Sequence, residues 1–309
     1  MKVYREYAEL NIPCVLALGS FDTIHVGHQS LILEAKAQAE KSNMPFGIYM
    51  FDVRPAHVLS TKTQYDVYTN EEREKILEGF GVDFIYYETF NKSFMQKTPE
   101  EFVKHLKNKL HAETVVAGFN YRFGCKATGN SDALCALCAQ HEIRAVIMPA
   151  VRDEIDVISS TRIRDLLFAG EMERVNAMLG RNYSMCGTVQ KDRGVGHKLG
   201  FPTANLAVEE TKALPKNGVY MTVACVDGKN YPSITNVGLR PTFHLKTRTI
   251  ETHLLGFDSD LYGKDICLSF YRHLRNEISF ADEKALQTQI LKDKADVEIL
   301  FSEINLKNL

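Results

Sequence analysis

No apolar run in this chain approaches the ~20 residues a helix needs to cross a bilayer. The opening MKVYREYAEL lacks the apolar stretch and small-residue cleavage site of a secretory signal. The expectation is a cytosolic protein with no membrane partner. A basic excess is missing as well. Formal net charge is -2, from 37 Lys and Arg against 39 Asp and Glu, and neither side of a division near Asn182 is strongly positive. That argues against a nucleic-acid partner, because a phosphodiester backbone is held by clustered cations. Any phosphate must be gripped locally, by a few placed side chains and backbone amides, which favours a small nucleotide. Cys135, Cys138 and His141 recur at helical spacing in DALCALCAQH, but no second ligand pair accompanies them. A structural zinc site needs four ligands, so the stretch reads as an apolar helix face. The seven cysteines are scattered; in a reducing compartment they are expected as reduced core residues rather than disulfides. Internal repeats and low-complexity segments are absent too.

What is present fits a chain of 309 residues with 45% hydrophobic and 25% charged residues, enough for two ordinary domains. In the first half, CVLAL (14–18), FGIYMF (46–51), DFIYYE (83–88), TVVAG (114–118) and AVIMP (145–149) read as strands. Helical stretches lie between them. Thr98-Pro99-Glu100-Glu101 and Thr69-Asn70-Glu71-Glu72 carry a capping residue with glutamate at the third helical position. Strand–helix alternation predicts an α/β domain with a doubly wound parallel sheet covered on both faces. From Tyr183 the pattern changes. GVYMTVACV, YPSITNV, RTIETHLL and DICLSFYRHL are separated by turn residues, with no helix-length segment until about Phe280. Sustained short strands predict an antiparallel β-barrel, capped by a C-terminal helix in FADEKALQTQILKDKADVEILFSEI. The boundary falls in LGRNYSMCG, giving domains 1–182 and 183–309.

The first strand ends in Leu18-Gly19-Ser20-Phe21-Asp22, and His25-Val26-Gly27-His28 opens the next helical stretch. Ligands in open parallel sheets sit beyond the carboxyl ends of the strands. Two imidazoles one turn apart at a helix start can both face a phosphate, assisted by the free N–H groups there, and Gly27 permits close backbone approach. By itself the pair could equally be two surface histidines at a turn. Ser159-Ser160-Thr161-Arg162-Ile163-Arg164, with hydroxyl caps and two arginines, supplies a second candidate phosphate grip. Together these resemble the HxGH and SSTxxR signatures of nucleotidyltransferases distantly related to class I aminoacyl-tRNA synthetases.

In the second half, Gly194-Val195-Gly196-His197-Lys198-Leu199-Gly200-Phe201-Pro202-Thr203-Ala204-Asn205 combines a glycine-rich loop with a hydroxyl and an amide oxygen two residues apart. Hard oxygen donors suit Mg²⁺, which is held through few protein ligands plus phosphates and waters. The glycines alone would read as a turn before a short strand.

The whole stretch resembles the riboflavin kinase signature GxxLGFPTAN. PKNGVY (215–220), NVGLRPTF (236–243), ETHL (251–254) and DLYG (260–263) follow in that family's order. GFNYRFG (118–124), the ATGN after it, and FDVRPAHVL from Phe51 match segments of the bacterial bifunctional riboflavin kinase/FAD synthetase family. The resemblance spans nearly the whole chain. It implies two activities: ATP phosphorylates riboflavin to FMN, and a second ATP adenylylates FMN to FAD with release of pyrophosphate.

The resemblance also implies roles. Glu251 is the base of the kinase step. Thr203 and Asn205 hold Mg²⁺ and the β/γ-phosphates, Gly194, Gly196 and Lys198 belong to the phosphate-covering loop, and Gly200 and Pro202 are further cofactor-binding positions. His25, His28, Asn120 and Arg162 serve adenylyl transfer. Gly19, Phe21, Asp22, Gly27, Ser159, Ser160, Thr161 and Asp165 lie around the nucleotide or flavin. Arg275 and Phe280 either line the flavin side or form a strand-end ion pair and a core aromatic. Two departures stand out. The family commonly has Phe-x-Pro-His-Pro where this chain has Phe51-Asp52-Val53-Arg54-Pro55, and a more charged, glycine-rich run where it has Cys125-Lys126-Ala127-Thr128. The alternatives are a kinase with impaired adenylylation, a flavin-binding regulator, and an RNA-charging enzyme; the last lacks a basic surface excess.

Overall fold

A computed structural model describes residues 1–5, 10–191, 201–241 and 246–303. The chain forms two compact units, Met1–Ser160 and Thr161–Leu309.

The first unit is a parallel sheet of β1 (Lys2–Arg5), β2 (Cys14–Leu18), β3 (Phe46–Phe51), β4 (Phe84–Glu88), β5 (Ala112–Gly118) and β6 (Arg144–Met148), in the order β1-β4-β3-β2-β5-β6. Alternate residues point to opposite faces, and both faces are apolar. Val15, Ala17, Ile48, Met50, Ile85 and Val116 form one core with Leu31, Ile32 and Ala35 of α1 (Val26–Ser42). Leu16, Leu18, Tyr49, Tyr86, Val115 and Ala117 form the other. It is completed by Phe102, Val103 and Leu106 of α5 (Pro99–Asn108) and by Leu134 and Cys138 of α6 (Ser131–Gln140). Helices α2 (Pro55–Leu59), α3 (Asn70–Gly79) and α4 (Lys92–Met95) complete the unit. Both expected capping boxes are formed, at Thr69 with Glu72 and at Thr98 with Glu101. Cys138 belongs to the core, and burial pushes its thiol up to about 12. Strand order reverses at β2, so the crevice beyond the ends of β2 and β5 is the topological switch point.

Helix α7 (Ser160–Ala169) begins at the last residue of the first unit, and with α8 (Met172–Leu179) it leads into the closed antiparallel barrel of the second. Its strands are β7 (Tyr183–Gln190), β8 (Ala204–Ala207), β9 (Gly218–Val226), β10 (Lys229–Pro241), β11 (Lys246–Leu254) and β12 (Asp265–Arg275), ordered β10-β11-β8-β7-β12-β9. Asn176 ties α8 to the barrel, donating to the Phe270 carbonyl at 2.9 Å and accepting from the Tyr183 amide at 2.8 Å. Inside, Thr222, Ser233, Thr235 and Thr252 are fully buried and satisfy one another through hydroxyl contacts of 2.7–2.9 Å. Outside, α9 (Glu283–Glu303) lays Val297 and Phe301 on Val219, Met221, Val223 and Ile234.

One expectation is corrected. Cys186 and Cys267 form a disulfide. They are far apart in sequence, but the β7–β12 register sets them directly opposite one another, a pairing that composition and spacing do not reveal.

His273 packs directly on Gly218, where backbone conformation and close neighbours leave no room for a side chain. A Cβ on Gly218 would lie 2.4 Å from its Nε2, and Gly218 has φ +153. Burial lowers the His273 pKa below the ordinary imidazole value, and nearby Lys216 lowers it further. Between the folded value and about 6.5 the unfolded chain holds the proton and the folded chain does not. Barrel stability is therefore full above pH ~6.5 and falls as pH drops from there through the folded pKa. Thermal melts across that range should show a declining midpoint, flattened in a His273→Asn variant. An equal acid slope in the variant would assign the effect elsewhere.

Candidate functional sites

On the outer face of the barrel, beside α9, lies a cavity of about 360 Å³. Its walls combine Val219, Ile234, Ile278, Leu286 and Ile290 with Phe201 and Phe280, an apolar and aromatic lining suited to a flat ring system. Polar groups enter from Thr203, Asn236, Glu251, His253 and Arg275. A second cavity of about 480 Å³ is lined by Pro202, Thr203, Asp258, Asp260 and Tyr262. Thr203 lines both cavities.

Register explains this convergence. Glu251 on β11 sits opposite Asn236 on β10 and opposite Asn205 on β8. Opposed residues share a face, so the three form a row across adjacent strands. Its neighbour Thr252 is buried among the interior hydroxyls, and alternation turns Glu251 outward. His253, two residues on, shares that face, and its Nδ1 lies 2.8 Å from the Pro202 carbonyl. A carbonyl only accepts, so Nδ1 carries the proton, and the bond holds the Phe201–Thr203 segment over β11. Arg275 lines the cavity and is also ion-paired. Its Nη2 lies 2.7 Å and its Nε 3.0 Å from the buried Asp293 carboxylate on α9. Gly194, Gly196, Lys198 and Gly200 lie outside the described residues.

At the switch point of the first unit, Gly19 to His28 follow β2 and Asn120 follows β5. His25 is the N-cap of α1: its Nδ1 accepts from the His28 amide at 3.2 Å. Accepting there places its proton on Nε2. The His25 and His28 rings stack at 3.9 Å with planes 12° apart, and Phe21 lies 5.2 Å from His28. Gly27 leaves room for this stack, since a Cβ would lie 3.0 Å from the His25 ring, tighter than an ordinary contact. Thr23 and Ser160, distant in sequence, have hydroxyls 2.9 Å apart, which sets the first residue of the SSTxxR helix beside the HxGH turn. Ser159 is half-buried there; Arg162 on α7 is half-buried, and Thr161 and Asp165 are exposed.

Asp22, 1% exposed, accepts from the Val67 amide at 3.1 Å and pairs with Arg54 Nη1 at 3.5 Å. Arg54 also bonds Asp66, which pairs with His57 Nε2 at 2.8 Å. The departure at 51–55 thus introduces a cation that pins the 54–67 segment to the turn before HxGH. Replacing Arg54 with Gln removes the cation beside a buried carboxylate. It should destabilise the first unit by about 3 kcal/mol, with Arg54→Lys recovering only part because it lacks the guanidinium fork. Urea unfolding reads this as an earlier first transition with the barrel transition unmoved. Coincident loss of both transitions would refute the local assignment.

Family models described as FAD synthetase and riboflavin kinase match residues 8–162 and 179–301. A protein of Listeria monocytogenes named bifunctional riboflavin kinase/FMN adenylyltransferase is 33% identical over 97% of this chain and 95% of its own length. This chain belongs to that family. A Bacillus subtilis protein of the same name is 32% identical over 94% of this chain and 93% of its own. A crystal structure from Streptococcus pneumoniae, titled a macrolide-efflux protein, superposes with a TM-score of 0.90 at 27% identity, covering 96% of this chain and 99% of that one. Among the described residues no helix is long and apolar enough to cross a membrane.

Within the family framework, the sequence reading missed Asn236, His253 and Asp293 as cavity residues. The first two stood inside quoted motifs, but only strand register turns them toward Glu251. The second departure has a backbone consequence. Lys126 and Ala127 adopt φ 52 and φ 55, the left-handed region that glycine enters freely. This chain holds that turn with two side chains.

Proposed function

We infer that the chain carries out both reactions for which its relatives are named: phosphorylation of riboflavin by ATP to FMN, and adenylylation of FMN to FAD. In the first, Glu251 takes the proton of the terminal ribityl hydroxyl as its oxygen bonds to the γ-phosphorus. The bond to the bridging oxygen breaks, and ADP leaves. The observation that carries this reading is the placement of Thr203 and Glu251 in one apolar cavity, with Asn205 in register beside Glu251. The flavin ring takes the cavity beside α9, and the nucleotide takes the second, with Thr203 at their junction. Thr203 and Asn205 offer a hydroxyl and an amide oxygen, a donor set that fits Mg²⁺. Bound there, the ion supplies charge neutralisation on the β- and γ-phosphates. Arg275 fixes the cavity wall through Asp293.

In the second reaction an FMN phosphate oxygen attacks the α-phosphorus of ATP, and pyrophosphate departs. His25 and His28, with the amino terminus of α1, stabilise charge on the α-phosphate and leaving group. Asn120, which follows β5, adds an amide to the grip, and the family resemblance gives Arg162 to the same step. We place the enzyme in the cytoplasm, where its ATP is found.

Purified chain incubated with riboflavin, ATP and Mg²⁺ should accumulate FMN, then FAD with stoichiometric pyrophosphate, as followed by chromatography. FMN without FAD would reduce the chain to a kinase. No turnover would overturn the reading.

A further inference from the structure

The barrel carries three cysteines in one row. Strand β12 lies between β7 and β9, and Cys267 is opposite Cys186 on one side and Cys225 on the other. Directly opposed residues of antiparallel strands share a face. Ile266, Leu268, Ala224, Val226 and Met185 are buried, whereas all three cysteines are partly exposed. Alternation therefore turns the cysteines outward together.

The two pairs differ in kind. In an antiparallel sheet a middle-strand residue forms a hydrogen-bonded pair with one neighbour and a non-hydrogen-bonded pair with the other, because its N–H and C=O point to one side. Cys186 and Cys267, with Cα atoms 4.0 Å apart, are the close, non-hydrogen-bonded kind. Cys267 and Cys225 are then the wider kind, with Cα atoms about 5.5 Å apart, where disulfides commonly form. Cys267 is joined to Cys186, and Cys225 carries a thiol. A nucleophilic sulfur thus stands beside a disulfide on the strand it adjoins.

We propose that Cys186, Cys267 and Cys225 form a thiol–disulfide exchange site in which one cross-link moves between two strand pairs. The Cys225 thiol releases its proton to water, and its sulfur attacks Sγ of Cys267. The 225–267 bond forms as the 186–267 bond breaks, and Cys186 leaves as a thiolate that regains a proton. No oxidant or reductant is consumed. The exchange shifts the tie from β7, whose Val189 lines the second cavity, to β9, whose Val219 lines the first.

Full-length protein purified without reductant, alkylated with N-ethylmaleimide and digested unreduced tests this by mass spectrometry. Two cross-linked peptide pairs are expected, both containing Cys267, with Cys186 and Cys225 alkylated in complementary fractions. Cys225→Ser should leave Cys186 wholly unalkylated. In Cys186→Ser, oxidised glutathione should produce the 225–267 link. Three results would overturn the proposal. The first is wild-type protein in which Cys186 is never alkylated. The second is all three cysteines alkylated at once. The third is a Cys186→Ser chain with native thermal unfolding that forms no 225–267 bond.

Discussion

Replacing Glu251 with Gln should lower riboflavin phosphorylation by roughly 10²–10⁴-fold, the usual contribution of a positioned general base. FMN supplied from outside should still be converted to FAD at the native rate. Gln keeps the volume and a hydrogen-bonding head group between Asn205 and Asn236 on the flanking strands, but it cannot take a proton. With the flavin ring on the apolar wall as proposed, the loss should fall on kcat with little change in the KM for riboflavin. The change is also mild for the fold. Glu251 points away from the interior hydroxyl network, which runs through its neighbour Thr252. A Glu251→Gln chain that phosphorylates riboflavin within about threefold of the native rate would remove Glu251 from the base's role, since a positioned base contributes far more than that. Parallel loss of both reactions without unfolding would defeat the separation into two centres.

The two halves were legible to different depths. In the first unit, β2 to β5 announced themselves as short apolar runs because burial on both faces leaves no polar alternation, and the capping boxes at Thr69 and Thr98 marked two helix starts to the residue. β1 escaped because KVYR is a four-residue edge strand, largely exposed, with no apolar signal. In the barrel, the short strands and the closing helix were readable, but register was not. Register is what sets Asn236, Glu251 and Asn205 in one row and Cys186, Cys267 and Cys225 in another. Both rows join residues far apart in the chain, and no local period encodes them. Arg54 belongs with these. Its departure from the family pattern was plain in the sequence, yet its partners Asp22 and Asp66 emerge only when the 54–67 segment folds over the end of β2.

Adenylylation, with the kinase step intact, should fall by roughly 10²–10³-fold in His28→Ala, the effect of deleting one donor aimed at developing charge. The neighbouring histidine behaves differently because it has two duties. His25 caps α1 through Nδ1, so His25→Ala removes a cap worth about 1 kcal/mol together with the proposed phosphate contact. His25→Asn can cap the helix but offers no imidazole N–H. Comparing the two separates duties that a single alanine would merge. The stacked rings add a further expectation. With His28 gone, His25 loses the face 3.9 Å away, so His25→Asn in the His28→Ala background should cost less than it does alone. Initial rates of pyrophosphate release from FMN and ATP, with riboflavin phosphorylation as the internal control, measure each variant. Full additivity of the two substitutions, or an undiminished rate in His28→Ala, would mean that the paired imidazoles do not act on the phosphates as one unit.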